Sequence, residues 1–145
     1  MSVWKQQPDI DALNRASDQT LMQALGIRFI AAGDDWLRAS MPVDARTHQP
    51  YGLLHGGASV ALAETLGSSA AMLTLDPATQ ITVGIEINAN HVRGVRSGVV
   101  TGTASALHIG RSTQVWQIRI EDESGALVCI SRITMAVMPK REAAA

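Results

Sequence analysis

Aromatic residues are scarce in this sequence, cysteine occurs once, and neither sign of charge is in excess. Phe, Tyr and Trp make up only 3% of the chain, so its core has to be built from aliphatic side chains. The single cysteine, Cys129, excludes an internal disulfide framework and a paired-cysteine metal site, and it suits a reducing compartment. Twelve Lys and Arg stand against 13 Asp and Glu, a formal net charge of -1, which gives no electrostatic reason to expect nucleic acid or an anionic membrane as partner. No apolar run approaches the roughly 20 residues that cross a bilayer as a helix. The opening Met-Ser-Val-Trp-Lys-Gln-Gln-Pro-Asp lacks the basic start and apolar stretch of a signal peptide. A cytoplasmic location is therefore expected. The four histidines, His48, His55, His91 and His108, show no paired ligand spacing, so no metal is expected.

What is present is a chain of 145 residues with 46% hydrophobic content, enough for one domain with a real core. Pro8 to Asn14 reads as a short helical turn. Ser17-Asp18 is placed to cap a second helix through Leu25, with Gly26 as its terminator. Ile27 to Ala32 and Trp36 to Met41, separated by Gly33-Asp34-Asp35, form an expected hairpin. A polar loop leads to a long helix from about Gly57 to Leu75, stopped by Asp76-Pro77. Four strands are then expected, Ile81 to Val95, Val99 to Ile109, Gln114 to Asp122 and Leu127 to Met138, with glycine-containing turns at Arg96-Ser97-Gly98, Gly110-Arg111-Ser112 and Glu123-Ser124-Gly125 between them. Alternation places Trp116, Ile118 and Ile120 on one face, against the helix, and Cys129 in the core. Lys140 to Ala145 reads as a polar, frayed tail. The class is α+β, an antiparallel sheet wrapped around one long central helix.

One carboxylate does not fit that helix. The stretch His55-Gly56-Gly57-Ala-Ser-Val-Ala-Leu-Ala-Glu64 runs from a glycine turn into an apolar segment, and burying a lone ionised side chain there costs several kcal/mol. Glu64 is therefore assigned as the catalytic group. Gly67 reads as a site of close helix-to-sheet contact, offsetting its helix cost of ~1 kcal/mol. Ser68, four residues after Glu64, either holds water near it or bonds back to its own helix.

The stretch Met41 to Ser59, including Gln49-Pro50-Tyr51-Gly52 and His55-Gly56-Gly57, the Glu64 that follows, and the strand Gly84 to Arg93 closely resemble the hotdog-fold acyl-CoA thioesterases. The likeness is greatest to the subgroup of the second type of 4-hydroxybenzoyl-CoA thioesterase, 1,4-dihydroxy-2-naphthoyl-CoA hydrolase and the phenylacetate-pathway and enterobactin-pathway thioesterases. It extends over nearly the whole chain. The resemblance implies hydrolysis of an acyl-CoA, with aryl esters such as benzoyl-, hydroxybenzoyl- or dihydroxynaphthoyl-CoA as substrates and Glu64 as nucleophile or general base. It also implies that the Gly56 N–H, Gln49 and His55 act at the carbonyl. No cofactor is implied, since CoA is part of the substrate. Chemistry agrees with such a division of labour: a thioester carbonyl needs a base or nucleophile on one side and donors where the oxyanion develops. A helix N-terminus supplies such donors.

Gly56 and Glu64 stand eight positions apart, about 12 Å along a helix, so one carbonyl cannot reach both on the same chain. A two-fold pair of antiparallel helices would bring them together, so an obligatory homodimer is expected. The resemblance adds a tetramer of two dimers. His91, Arg93 and Arg96, and the turn at Arg111 and Ser112, are candidate contacts for the CoA phosphates, around segments where the family places its nucleotide. Leu53, Leu54, Leu62 and Met72 are expected to line the acyl pocket. Medium-chain acyl-CoA and carrier-protein thioesters remain alternative substrates, and a non-catalytic acyl-CoA sensor is the alternative function. Such a sensor has no use for Glu64 opposite an oxyanion donor, and a hydratase would need an Asp/His pair that this helix lacks.

Overall fold

The structure, a computed structural model, describes residues 1–141. Two short helices open it. α1 (Ile10–Ala16) begins at Asp9, whose carboxylate accepts from the Ala12 N–H at 2.9 Å. α2 (Leu21–Leu25) is capped by Thr20 rather than by the expected Ser17-Asp18 pair. Ser17 instead closes α1, its hydroxyl donating to the Leu13 carbonyl at 2.9 Å. Gly26 ends α2 at φ 72°, the left-handed conformation that glycine adopts without a Cβ clash.

β1 (Arg28–Ala32) and β2 (Trp36–Pro42) form the hairpin, followed by the long helix α3 (Gly56–Leu73). β3 (Gln80–His91), β4 (Val99–Ile109), β5 (Thr113–Glu121) and β6 (Leu127–Pro139) complete one six-stranded sheet in the order β1-β2-β4-β5-β6-β3. All neighbours are antiparallel. α3 stops two residues before the expected Leu75, because the Thr74 hydroxyl donates to the Ala71 carbonyl and ends the ladder. β3 stops at His91 rather than Val95: the Val92 and Arg93 N–H groups both turn to the Val128 carbonyl, so no further rung forms. Of the expected tail, Lys140 is held in place, its N–H on the Thr79 carbonyl and its ammonium on that of Pro77. Residues 142–145 lie outside the described residues.

The sheet curls around α3. Leu62, Leu66 and Ala70 are fully buried against Trp116, Ile118, Ile120 and Ile133, which come from alternate positions of β5 and β6. Burying each large aliphatic side chain contributes about 1.5–3 kcal/mol. Close approach needs glycine on both partners. A Cβ on Gly67 would stand 2.4 Å from Ile133 Cγ2, and one on Gly102 of β4 2.6 Å from Leu66 Cδ1. Cys129 is fully buried, and burial pushes its thiol pKa up.

The N-terminal segment closes the far end of the sheet. Trp4 stacks on Trp116 with ring centroids 5.9 Å apart and 7° between planes, and its indole N–H donates to the Gly33 carbonyl at 2.6 Å. Beneath it the Trp116 indole donates to Gln114 Oε1, and Gln114 Nε2 donates to the Thr74 hydroxyl, so each buried polar group has a partner. β3 is an edge strand, with a bulge between Gly84 and Glu86. It exposes Ile81, Val83 and Ile85, the last 58% accessible. An apolar edge of this kind is a template for pairing with a second strand.

Candidate active site

The loop between β2 and α3 fixes where the helix starts. Thr47 Oγ1 donates to the Pro42 carbonyl at 2.8 Å and accepts from the Asp44 N–H. The Thr47 carbonyl in turn accepts from the His55 N–H at 2.8 Å. A carboxylate–guanidinium pair, Asp44 with Arg46 at 2.7 Å, braces the same turn and holds the Asp44 pKa down at about 2. A second tie joins the Leu54 N–H to the Val95 carbonyl at 2.7 Å. Between these ties Gly52, at φ 75°, closes a turn in which its N–H donates to the Gln49 carbonyl.

His55 caps α3. Its Nδ1 accepts from the Gly57 N–H at 2.8 Å, which requires the tautomer with the proton on Nε2. The Ala58 and Ser59 N–H groups donate to the His55 carbonyl. The Gly56 N–H donates to no group among the described residues. It is thus an unspent donor at the positive end of a helix of 18 residues. The cavity in front of it measures about 380 Å³ and is lined by Gln49, Leu53, Gly56, His91 and Arg93 among others. His91 lies directly over Gly56, where an added Cβ would stand 2.9 Å from its Nε2. The Gln49 side-chain oxygen accepts from the Tyr51 N–H, while its amide nitrogen has no partner among the described residues. Gln49 therefore has a structural bond in the loop and a free donor at the cavity.

Glu64 stands two turns further along the same helix, half-buried, with the Ser68 hydroxyl donating to its Oε1 at 3.1 Å. Ser68 thus bonds the carboxylate directly and makes no bond back to its own helix backbone among the described residues. Across from the carboxylate is Gly84 of β3, where a Cβ would come within 3.1 Å of Glu64 Oε1. The sequence reading missed Gly84. A glycine inside the apolar run Thr82-Val83-Gly84-Ile85 was the available signal, because such a residue marks a bulge or a close approach.

The expected residues therefore fall into two groups. Gln49, His55, Gly56, His91 and Arg93 gather around the start of α3, whereas Glu64 is bonded to Ser68, which lines a different cavity of about 390 Å³. Arg111 and Ser112 belong to neither group. Their turn is tied to β6 by the Val137 N–H on the Ser112 carbonyl, whereas Arg93 is tied to Val128, nine residues back along β6, roughly 30 Å of extended strand. Within one chain they do not share a binding surface with His91 and Arg93. Leu62 is also displaced from its expected place in the acyl pocket: it is fully buried beneath Gly102, on the core side of α3. Among the described residues no three His, Cys, Asp or Glu side chains are grouped as metal ligands would be. No helix among them is long and apolar enough to cross a membrane.

Known proteins share both the sequence and the fold. The family model of the thioesterase superfamily matches residues 51–129. The proofreading thioesterase EntH of Cronobacter turicensis is 54% identical over 136 residues, covering 94% of this chain and 98% of that protein. The 1,4-dihydroxy-2-naphthoyl-CoA hydrolase of Escherichia coli is 52% identical over 136 residues, covering 94% and 99%. The crystal structure of a mutant of thioesterase PA1618 from Pseudomonas aeruginosa superposes with a TM-score of 0.95 at 55% identity, covering 96% of this chain and 100% of that one. With its long helix, wrapped antiparallel sheet and these relatives, the chain belongs to the thioesterase superfamily and is a hotdog-fold thioesterase.

Proposed function

We propose that this thioesterase hydrolyses acyl-CoA, with aryl-CoA esters as its substrates, and that it requires no cofactor. The observation that carries the reading is the pair of complementary half-sites on α3: an unspent Gly56 N–H at its start, lining one cavity, and two turns later the Glu64 carboxylate, held by Ser68, which lines another. The names of the relatives support the substrate class, since one acts on 1,4-dihydroxy-2-naphthoyl-CoA.

In the proposed reaction the thioester oxygen accepts from the Gly56 N–H and the Gln49 amide of one subunit, while Glu64 of a second subunit approaches the carbonyl carbon. Either the carboxylate adds to that carbon, the C–S bond breaks, and water cleaves the resulting anhydride, or Glu64 takes a proton from the attacking water. In both routes the sulfur leaves as thiolate and is protonated, and the acid is released with Glu64 restored. Developing negative charge on oxygen is stabilised by donors that were in place beforehand. His55 fixes the donor by capping the helix. His91 and Arg93 at the mouth of that cavity suit the CoA phosphates.

Both half-sites are completed by pairing β3 with a second β3 about a two-fold axis, which the exposed Ile81, Val83 and Ile85 favour. Antiparallel pairing also carries the Arg111-Ser112 turn of one subunit toward the His91 end of the other. A dimer is the minimal active unit in this account, and a dimer of dimers is compatible with it. A medium-chain substrate is a second reading, favoured by the apolar Met72 and Ile81 in the cavity beyond Ser68.

The test is a thioester panel on purified wild type and Glu64→Ala: benzoyl-, 4-hydroxybenzoyl-, 1,4-dihydroxy-2-naphthoyl-, hexanoyl- and lauroyl-CoA, and an aryl carrier-protein thioester. Glu64-dependent thiol release, fastest with an aryl-CoA, is expected. Tight acyl-CoA binding without hydrolysis would turn the reading to a sensor.

A further inference from the structure

We infer that Lys140 is a specificity-determining residue, selecting extended acyl groups that carry an oxygen anion at the end remote from the thioester. The inference rests on the thioesterase reading of Glu64. The cavity of about 390 Å³ begins at Ser68, whose hydroxyl holds Glu64, and passes Met72 and Ile81 to Gln6, Gln80 and Lys140. Ser68 and Met72 of its wall stand one helical turn apart, about 6 Å, and the lining continues from Thr82 along β3 to a second end at Pro77 and Gln80. Lys140 sits at that second end, anchored through its N–H to the Thr79 carbonyl. An extended medium-chain acyl group reaches further along this cavity than a benzoyl ring with a para substituent.

The walls and the far end differ in kind. Met72 and Ile81, 46% and 40% accessible in the single chain, give this cavity apolar walls. At the far end the polar groups are pinned. Gln6 Nε2 donates to both the Met72 and Leu75 carbonyls at 3.1 Å, which fixes its amide. The Lys140 ammonium gives one hydrogen bond to the Pro77 carbonyl at 3.1 Å and pairs with no carboxylate among the described residues. Two of its three donors are therefore free for a ligand. A channel that starts beside the serine bonded to Glu64, is walled by Met72 and Ile81 and holds an unpaired cation at its other end fits an acyl group that is apolar along its length and anionic at its tip.

The test compares octanoyl-CoA with suberyl-CoA, its counterpart bearing a terminal carboxylate, using the intact oligomer. Wild type should prefer the suberyl ester in kcat/KM. Lys140→Gln should lose roughly fivefold on that ester, the scale of an exposed ion pair, with the octanoyl ester unchanged. Lys140→Glu should reverse the preference. An unchanged preference across the three proteins overturns the inference, as does an equal rise in KM for both esters, which would place the ammonium on CoA itself. Cleavage of neither ester nor of benzoyl-CoA by wild type would instead overturn the thioesterase reading beneath it.

Discussion

At the scale of single residues, the proposed mechanism gives Glu64 the chemistry and its neighbours the task of aiming it. Glu64→Gln keeps the shape but removes the negative charge, so turnover should fall by at least two orders of magnitude while acyl-CoA still binds. Single-turnover kinetics beside a binding titration separates the two, and near-normal turnover would remove Glu64 from the mechanism. Gly84 makes a subtler case. Any Cβ there crowds Glu64 Oε1, so Gly84→Val should lower kcat with little change in melting temperature, because the site lies on an exposed edge strand. Asp44 gives a pH-dependent test. Its hydrogen bonds with Arg46 hold its pKa at about 2 against an ordinary 3.8, so the folded value is depressed. The stabilising contribution is then complete above pH ~4 and is lost as pH falls through about 2. An NMR titration should find the Asp44 carboxyl protonating near that value and the turn before α3 loosening with it; Asp44→Asn should abolish the response.

At the scale of elements, α3 does two jobs, and both depend on its ends and one face. His55→Ala removes the cap on Gly57 and should cost about 1 kcal/mol, with His55→Asn recovering most of the stability. Gly67→Ala improves helix propensity by ~1 kcal/mol, yet its methyl would stand 2.4 Å from Ile133 Cγ2. Overpacking of that kind costs about 1–3 kcal/mol, so thermal melts should show net destabilisation. These elements were largely legible beforehand, because their signals are local. Gly26 as a helix stop, the alternation around Trp116 and the apolar helix needed only neighbouring residues. Misplaced ends trace to competing hydrogen bonds. Thr74 ended α3 early, and Val128 drew two N–H groups away from β3. Likewise Leu62 reads as pocket-lining on a helix that is apolar almost all round, and only the position of Gly102 shows that it faces the core. Lys140 was hidden for the opposite reason: its hydrogen-bond partners, Pro77 and Thr79, lie more than sixty residues away in the chain.

At the scale of the whole molecule, the donor and the carboxylate are about eight helical residues apart, and the donor's cavity does not include Glu64 or Ser68, so activity should require assembly. Ile85→Asp places a charge on the exposed apolar edge of β3 and should yield monomers in sedimentation that have lost hydrolysis while remaining folded. The most direct measurement of the shared site is subunit complementation. Gly56→Leu fills the space under His91 and Glu64→Ala removes the carboxylate, so each protein alone should be inactive. If the two are unfolded together and refolded as an equal mixture, random pairing makes half the dimers mixed, each with one intact and one doubly damaged site. The account predicts recovery of about a quarter of wild-type thioester hydrolysis; a mixture as inactive as its components, with mixed dimers demonstrably formed, would contradict it.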